Sequence, residues 1–360
     1  MQSTSPAVEQ RLQATKEHLT RTAISSSPEA SWIHPYLRHS VHPVKGRQLQ
    51  VSQTIKKGEL LLVDIPYAAI PTVDEPLRSE NVLCSNSRCN RKAPLTAERV
   101  SCPNNCIADV VWCNEDCHRM DQPRHTIECA WLKKFAASIR SKWGEYDFGM
   151  LWLIVRILTT RTVGMRDTQR ACPPRDDQGA EFKAGWAAIE SLCGSPESWP
   201  HDKVRHWTAL VKKYLKDNMP LAHGMAMSDV LALICREEAN SFGLYPRETG
   251  TSVSEPQMVR GEQFGAAVYP RAAIANHSCD PNIKHKPDIY GRMVFVASRD
   301  IPQGEECCIS YFDLSQCVDL KDRRAHLQSS FRFVCGCLRC TAEEPPSEDV
   351  LWDAFPLLEE

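Results

Sequence analysis

Residues 276–282 read NHSCDPN, and the role of this heptapeptide decides how the rest of the chain is interpreted. A His, a Cys and an Asp stand there among small residues, a composition typical of a tight turn, a metal site or a nucleophile beside its base. The choice among the three depends on the other cysteines, because the chain has 17 of them in 360 residues.

The overall composition disfavours several classes of function. The chain has 43 Lys and Arg against 45 Asp and Glu, so no global field draws it to nucleic acid or to an acidic membrane. No apolar run approaches the roughly 20 residues of a membrane span, and the N-terminus has no secretory apolar region. We therefore expect a monomer in the cytoplasm or nucleus, with no membrane and no nucleic acid as partner. Disulfides are rare in those compartments, so the cysteines indicate metal sites or reactive thiols.

Eight metal-ligating residues occur as four close pairs between positions 84 and 129. Each pair can reach one ion across a turn, and Zn²⁺ takes four such ligands in a tetrahedron, so eight ligands imply two ions. The order favours interleaving, in which the first and third pairs bind one zinc and the second and fourth pairs bind the other. Every position is then filled, which is typical of structural zinc. The two predicted sets are Cys84, Cys89, Cys113 and Cys117, and Cys102, Cys106, His125 and Cys129.

A second cysteine cluster, CGCLRC at residues 335–340, supplies three thiolates. A tetrahedral zinc needs a fourth ligand. Cys279 is the best candidate because NHSCDPN is a small, polar, turn-like setting, and the nearer Cys317 is the alternative.

A third interpretation makes Cys279 a nucleophile and His277 its base. The two residues are only two positions apart, so we expect their side chains to point poorly for the required hydrogen bond. No acid is assigned to orient the histidine. This interpretation is the least favoured.

Strand-rich segments near 45–70 and 264–312 flank the Cys-rich insert and a helical block. KKG (56–58) and Pro-Gln-Gly (302–304) supply turns between β-rich runs. FGMLWLIVRILTT (148–160) indicates a buried helix, and MSDVLALICREEANSF (227–242) has helical spacing with a cap at Ser228 or Asp229. If the two strand-rich segments form one sheet system, the middle of the chain is inserted into it.

In combination and in order, these segments resemble the SET- and MYND-domain protein lysine methyltransferases. WCNEDCHRMDQPRHTIEC (112–129) resembles a MYND zinc finger, and KGRQLQVSQTIKKGELLLVDIPYA (45–68) resembles the opening of a SET domain. Its later motifs and the post-SET zinc segment are matched by EEANSFG (237–243), AAVYPRAAIANHSCDPN (266–282), GEECCISYFD (304–313) and FRFVCGCLRC (331–340). Each motif alone is weak evidence, whereas the ordered set over about residues 43–341 is specific.

The resemblance implies an α+β fold: a mainly-β SET domain with a knot-like β-clip core, an inserted MYND zinc finger, a helical insert and a post-SET zinc segment. The implied boundaries are a disordered tail (1–30), the N-terminal part of the SET domain (43–83), the MYND finger (84–129), a helical linker and SET insert (130–245), the C-terminal SET core (246–314), the post-SET zinc segment (315–341) and an acidic tail (342–360).

The resemblance also implies an activity: transfer of a methyl group from S-adenosylmethionine to a lysine ε-amine of a histone or another protein. Tyr311 is the implied catalytic residue, with Asn240 and Ser241 near the cofactor or the channel. The post-SET zinc takes Cys279 as its fourth thiolate, which makes three Zn²⁺ in all. The remaining implied roles are cofactor binding by Gly46, Arg47, Asn276, His277 and Phe333, a lysine channel lined by Phe242 and Tyr269, and a post-SET zinc set of Cys279, Cys335, Cys337 and Cys340.

Two departures from the family pattern bear on these expectations. Gln48 stands where the pattern has a second glycine, so we expect strain in the turn or a narrowed cofactor site. Many relatives have a long helical C-terminal domain, whereas only about 20 residues follow Cys340 here; we expect either a short form with an open substrate groove or a truncated chain. The alternative function is a non-catalytic adaptor whose MYND finger binds proline-rich peptides on an inactive SET scaffold. Gln48 favours the adaptor, whereas Tyr311, NHSC and the post-SET cysteines favour the enzyme.

Overall fold

A computed structural model describes residues 30–71, 82–93, 98–168, 182–218, 225–250 and 259–345. The expected disordered tail (1–30) and the acidic tail (342–360) therefore lie almost entirely outside the described residues. The strands are β1 (Trp32–Ile33), β2 (Leu37–His42), β3 (Gly46–Val51), β4 (Leu60–Asp64), β5 (Ala68–Pro71), β6 (Val100–Ser101), β7 (Val111–Trp112), β8 (Ser241–Leu244), β9 (Gly265–Val268), β10 (Asn276–His277), β11 (Ile283–Pro287), β12 (Met293–Ala297) and β13 (Glu306–Ile309).

Six α-helices and three short helical turns complete the described elements. The helices are α1 (Glu115–Thr168), α2 (Gly185–Glu190), α3 (His201–Leu210), α4 (Met227–Asn240), α5 (Leu320–Ser330) and α6 (Leu338–Ala342). The turns are 3-10 helices at Pro196–Ser198 and Ala272–Ile274 and a π-helical turn at Val211–Leu215.

Three small sheets join strands from the two ends of the chain. Their orders are β1-β4-β12-β11, β2-β3-β13-β10 and β5-β9-β8. Early strands pair with late ones in each sheet, so the prediction of one sheet system with a large insertion is confirmed. The set begins earlier than the expected boundary at residue 43, because β1 pairs with β4 and β2 pairs with β3. These two short strands lack the β-rich alternation that marks β3 and β4.

The core of this sheet system is apolar. Leu62 of β4 and Phe295 of β12 lie opposite each other, and both are fully buried. In β12 buried residues alternate with partly exposed ones, as expected for a strand with one covered face. β10, which carries Asn276 and His277, pairs in parallel with β13. NHSCDPN therefore lies at the edge of a sheet, beside the strand that leads to Tyr311.

The helix α1 runs from the Cys-rich insert into the core. It bends at Gly144, whose φ of 87° lies in the region that glycine adopts without strain, so α1 consists of two arms. The first arm crosses the expected boundary between residues 129 and 130 without interruption. By length and composition alone the span Glu115–Arg166 could cross a membrane, but 61% of its apolar window is buried inside the protein, as in a core helix.

A buried ionic network joins the two arms of α1 to the sheet system. Glu128 on the first arm accepts hydrogen bonds from Arg124 and from Trp152 Nε1, the latter at 2.9 Å. Arg156 on the second arm contacts Glu128 at 3.3 Å and donates to the carbonyl oxygen of Ala69 at 2.5 Å. Burial alone would raise the pKa of Glu128, but the guanidinium groups of Arg124 and Arg156 lower it to about 2. The carboxylate is therefore ionised and holds the insert against the core.

The start of α4 differs from its sequence prediction. The helix begins at Met227, so Ser228 and Asp229 lie in its first turn and neither is the cap. The Asp229 carboxylate instead accepts a hydrogen bond from the Ala226 N–H at 2.7 Å. An acid in the first turn stabilises the same unsatisfied N–H groups that a cap would, which explains why the motif was placed correctly but the boundary was not.

Candidate active site and metal centres

The structure brings the twelve predicted metal ligands together in three groups of four. Within each group the ligand atoms all lie within 4.8 Å of one another. Sγ–Sγ distances are 3.9 Å for Cys89–Cys113 and 3.6 Å for Cys102–Cys129. A tetrahedral zinc with Zn–S bonds of about 2.3 Å requires edges of about 3.8 Å. The ligand geometry therefore fits zinc, and the interleaving of the first four pairs is confirmed.

The third group contains Cys279, Cys335, Cys337 and Cys340. Cys279 is fully buried, and its Sγ lies 3.5 Å from that of Cys340 and 4.0 Å from that of Cys335. Cys317, the alternative fourth ligand, lies outside this group. NHSCDPN thus contributes its cysteine to a group of four thiols that could hold a metal ion.

His125 is the single nitrogen ligand among the twelve. Its Nε2 lies 3.3 Å from the Sγ of Cys102 and 3.8 Å from that of Cys106. Burial lowers the pKa of His125 to about 4, so the imidazole is neutral, which is the form that binds a metal ion.

The other residues of NHSCDPN tie two strands to the metal centre. The Asn276 amide donates to the Arg47 carbonyl oxygen at 2.9 Å and to the Glu306 carboxylate at 2.8 Å. His277 Nδ1 accepts the main-chain N–H of Tyr311 at 3.1 Å. Three neighbouring residues of one segment therefore reach β3, Tyr311 and the third thiolate group.

His277 and Cys279 are in contact, contrary to the expectation that they would point apart. His277 Nε2 lies 3.2 Å from the Cys279 Sγ, because the turn after β10 brings both side chains to one side. The contact does not make a nucleophile, since the Cys279 sulfur is fully buried within a four-thiolate group. A fully buried sulfur that is surrounded by three other thiol groups has no access to a substrate.

A cavity of about 330 Å³ lies beside Tyr311. Its wall includes the aromatic side chains of Phe242, Tyr311 and Phe331, and also the predicted Asn240 and Ser241. The Tyr311 and Phe331 rings lie 4.9 Å apart, and the Tyr311 hydroxyl donates to the Ala275 carbonyl oxygen at 3.1 Å. Burial raises the pKa of Tyr311, so the hydroxyl stays protonated at neutral pH. The aromatic part of this wall, with the Tyr311 hydroxyl beside it, suits a neutral amine.

Tyr269 does not belong to the cavity wall. It is fully buried, its hydroxyl donates to the Gly291 carbonyl oxygen, and its ring packs edge-on against Phe242 at 5.7 Å. The assignment of Tyr269 to the channel lining is therefore corrected: it supports Phe242 from behind. The sequence motif places Tyr269 near the channel, but only the direction of its side chain, directly after β9, decides which layer it occupies.

The predicted cofactor-binding residues surround the contact between His277 and Tyr311 on the side of β3. Phe333 packs against both rings, with centroid distances of 6.1 and 6.3 Å. Gly46 has a φ of 74°, and a Cβ there would meet nothing within 4 Å, so the turn is open. The Arg47 Nε is buried without a hydrogen-bond partner among the described residues. An orphaned cationic donor beside an open turn and an aromatic ring fits a ligand with a carboxylate and a flat base.

Gln48 does not strain the glycine turn. It is a regular residue of β3, paired with Ser40 of β2, and its side-chain amide donates to the Ser40 hydroxyl at 3.0 Å. The positive φ that requires a glycine occurs at Gly46, two residues earlier. The expectation of strain at this departure is wrong, because a strand conformation accommodates a side chain.

Three residues of the cavity wall were not singled out from the sequence. Phe331 completes the aromatic part of the wall, and its signal was its place two residues before Phe333. His285 is mostly buried and lies edge-on to Phe242 at 5.9 Å, and burial lowers its pKa to about 3. Glu237 is 6% exposed, and its Oε2 has no hydrogen-bond partner in the part of the chain that the structure describes. Nothing in the local sequence distinguishes Glu237 from a solvated helix glutamate.

The SET domain family model matches residues 46–312, which is well over half of the chain and includes strands β3 to β13 and the cavity wall apart from Phe331. The chain therefore belongs to the SET domain family. It is similar to N-lysine methyltransferase SMYD2 of Gallus gallus, with 26% identity over 319 residues that cover 87% of this chain and 61% of that protein. For SMYD2 of Homo sapiens the identity is 26% over 314 residues, covering 84% and 59%.

The chain spans about three fifths of the length of these curated relatives, 61% and 59% respectively. A shorter stretch of 108 residues, 30% of this chain, is 40% identical to the potential protein lysine methyltransferase SET6 of Saccharomyces cerevisiae. Among solved structures, the SET domain of LSMT bound to lysine and AdoHcy overlaps 92% of this chain and 58% of that chain, with 13% identity and a TM-score of 0.39. This overlap is too loose to add to the family assignment.

Proposed function

We propose that this protein transfers a methyl group from S-adenosylmethionine to the ε-amine of a lysine in a protein substrate. The observation that carries the proposal is the position of Tyr311. Its main chain is bonded to His277, and its hydroxyl and ring belong to an aromatic cavity. The predicted cofactor residues therefore stand on one side of Tyr311 and a cavity suited to an amine stands on the other.

The cavity supports the proposal because the reacting amine must be neutral. A lysine in water has a pKa of about 10.4, so it arrives as an ammonium. The rings of Phe242, Tyr311 and Phe331 remove water from the amine and disfavour its charged form. The Tyr311 hydroxyl, held by the Ala275 carbonyl oxygen, is placed to orient the amine for an in-line displacement.

S-Adenosylmethionine supplies an electrophilic methyl group on a sulfonium when it is bound. Of the chain's own residues, Asn276 and His277 would position it through main-chain groups and the Asn amide, and Phe333 would stack on its base. The unpartnered Arg47 Nε would bind its carboxylate. Gln48, the residue that favoured a non-catalytic adaptor, lies in a regular strand, so strain in the turn is not an argument against binding.

Three structural Zn²⁺ ions belong to this proposal, one in each four-ligand group. The third has a direct consequence for the active site, because Phe331 and Phe333 precede its ligand Cys335 by four and two residues. Thiolate groups that approach one another this closely repel unless a cation neutralises them. The ion would therefore hold both aromatic residues against Tyr311.

Calorimetric titration with S-adenosylmethionine tests cofactor binding, and incubation with methyl-labelled cofactor and a panel of histones and cell lysate tests transfer. We expect binding and label on lysine. Absence of binding at millimolar cofactor would overturn the proposal. Binding without label on any protein would leave a cofactor-binding scaffold instead of an enzyme.

We also propose that the MYND segment binds a proline-rich peptide, from its resemblance to fingers of that kind. A groove of about 300 Å³ beside the second metal group supports this, with Pro103, His118, Gln122 and Lys133 in its wall. His118 packs on Trp112 with a centroid distance of 4.6 Å, which gives the groove an aromatic floor. Fluorescence anisotropy with a labelled proline-rich peptide should show binding that His118→Ala weakens, and equal affinity for a scrambled, proline-free peptide would contradict it.

For the cellular location of the protein we propose the cytoplasm or nucleus, where thiolate ligands stay reduced.

A further inference from the structure

One carboxyl group in the cavity wall has an oxygen without a hydrogen-bond partner among the described residues. Three glutamates line the cavity: Glu145, Glu237 and Glu238. Glu145 is bonded to Arg140 at 3.1 Å, and Glu238 is bonded to Lys203 at 2.6 Å and to Tyr146 at 2.5 Å. Glu237 has no such ion pair among the described residues: the Ser241 side chain hydrogen-bonds to its carboxyl group, but the Oε2 atom is buried and unbonded there.

Such an arrangement is costly unless a ligand completes it. A buried carboxyl group that lacks a partner loses its solvation and gains nothing in return. Glu237 is only 6% exposed, and it lines a cavity that is large enough for a side chain. The missing partner is therefore a group that enters the cavity from outside the chain.

We propose that Glu237 is a specificity-determining residue that binds a second basic side chain, lysine or arginine, of the peptide whose lysine is methylated. This inference rests on the proposed function for its reference to methylation, but the cation site itself does not. A carboxylate is acceptor-only, so its natural partner is a donor with positive charge.

The cation at Glu237 is not the reacting amine. A carboxylate beside that amine would stabilise the ammonium form, which has no lone pair for the methyl group. The aromatic part of the wall, Phe242, Tyr311 and Phe331, makes the opposite demand and favours the neutral amine. One cavity thus holds two environments, and the two demands are met if two different side chains of the substrate occupy it.

The charge state of Glu237 makes the site sensitive to pH. Burial, with a smaller effect from Glu238, raises the pKa of Glu237 to about 8, while Ser241 and Lys203 act in the opposite direction. The phenol of Tyr146 on α1 also faces this carboxyl group, and its own pKa is raised by burial and by Glu238. At pH 7 roughly a tenth of Glu237 is ionised. Binding of a cation requires the ionised form, so the affinity should rise with pH until about pH 8 and a proton should be released on binding.

The test uses small cations whose binding does not depend on methyl transfer. Methyl-labelled full-length protein is titrated with n-butylammonium, n-butylguanidinium and neutral n-butanol, and the methyl resonances of Met150, Leu153 and Ala239 in the cavity wall are followed by nuclear magnetic resonance. We expect both cations, but not butanol, to shift these resonances. The apparent affinity should increase about tenfold between pH 7 and pH 9.

Two substitutions separate Glu237 from its neighbours. Glu237→Gln keeps the shape and removes the charge, and should weaken cation binding about tenfold or more and abolish its pH dependence. Glu145→Gln is the matched control, because it removes a carboxylate of the same wall that already has a partner in Arg140; it should change the affinity by less than about threefold. The pH titration of the unaltered protein gives the same information if a variant fails to fold.

The results overturn the inference in three ways: the unaltered protein binds neither cation, butanol binds as well as the cations, or Glu237→Gln binds them unchanged. A peptide series with arginine or alanine at each position around the lysine then tests specificity, and Glu237→Gln should lose a preference for arginine that the unaltered protein shows. Cation binding without any methyl transfer would contradict the proposed function but support the cation site at Glu237. Methyl transfer by a protein whose cation binding is unchanged in Glu237→Gln would support the proposed function and contradict the cation site.

Discussion

Tyr311 is the residue on which the proposed chemistry depends. Its ring forms part of the cavity wall, and its hydroxyl has one described acceptor, the Ala275 carbonyl oxygen at 3.1 Å. Tyr311→Phe keeps the ring and removes the oxygen. We expect methyl transfer to fall by about a hundredfold or more, because a positioned polar group in a dry site contributes on that scale. Cofactor affinity by calorimetry should stay near normal, since His277 and Phe333 are untouched, and activity that survives the change would contradict the assigned role.

Gly46 and Gln48 give a second prediction at the scale of single residues. The φ of 74° at Gly46 is costly for any other residue, so Gly46→Ala should lower the free energy of unfolding by about 1 kcal/mol and weaken cofactor binding. Gln48→Ala is the matched control, because Gln48 has an ordinary strand conformation and loses only its bond to Ser40. Denaturant titration and calorimetry measure both quantities. If Gln48→Ala changed the cofactor affinity more than Gly46→Ala, the critical position of the turn would be Gln48 and not Gly46.

At the scale of elements, α1 is the feature that holds the insert to the sheet system. Its first arm supplies His125 and Cys129 to a metal group, and its second arm fills the core with apolar residues. The two arms meet in the network of Arg124, Glu128 and Arg156, all of which are nearly or fully buried. A metal-stabilised segment that builds little core of its own thereby gains a rigid connection to one.

Arg156→Met tests that connection. The substitution leaves the buried Glu128 carboxylate with only one of its two guanidinium partners, Arg124. The free energy of unfolding should therefore fall by about 3–5 kcal/mol. Arg119→Met is the matched control on the same helix, because the Arg119 side chain is 76% exposed and pairs with an exposed Asp116; its effect should stay within about 0.5 kcal/mol. Urea denaturation followed by tryptophan fluorescence measures both. Similar losses for the two variants would show that the network does not hold the arms together.

At the scale of the whole molecule, four-ligand groups that could hold metal ions lie in the two places where the chain is rich in cysteine. The first two groups organise residues 84–129, and the third draws the segment after β13 back to NHSCDPN. The active-site aromatics Phe331 and Phe333 lie on that returning segment. Metal binding and the shape of the cavity are therefore linked through the order of the chain.

Metal analysis of the purified protein should give three zinc ions per chain. Cys279→Ser should reduce the count to two and weaken cofactor binding, because Phe333 loses its anchor. Cys317→Ser is the matched control: this residue lies outside the third group and should leave three ions and the affinity unchanged. Two zinc ions per chain in the unaltered protein, or loss of zinc in Cys317→Ser, would contradict the assignment of Cys279 as a ligand of the third group.

Much of this organisation was readable from the sequence because it depends on short spacings. The four ligand pairs and CGCLRC are local patterns, and their interleaving follows from their order. The strands around KKG and the buried helix at 148–160 follow from runs of apolar residues. Eight described strands were not predicted individually, because short strands take their stability from partners that are distant in the chain. They are β1, β2, β5, β6, β7, β8, β10 and β11.

The sequence alone indicated which residues can bind metal and where the inserted segments lie, and the family resemblance joined Cys279 to the post-SET cysteines. Only the tertiary structure decided which aromatic residues face the cavity, since Tyr269 turns out to lie behind Phe242 while Phe331 lines the wall. It also decided that His277 contacts Cys279 and that the Glu237 Oε2 is buried without a partner in the part of the chain that the structure describes. The physical reason is that ligand spacing is encoded within a few residues, whereas burial and side-chain direction depend on elements that meet only when strands from the two ends of the chain pair.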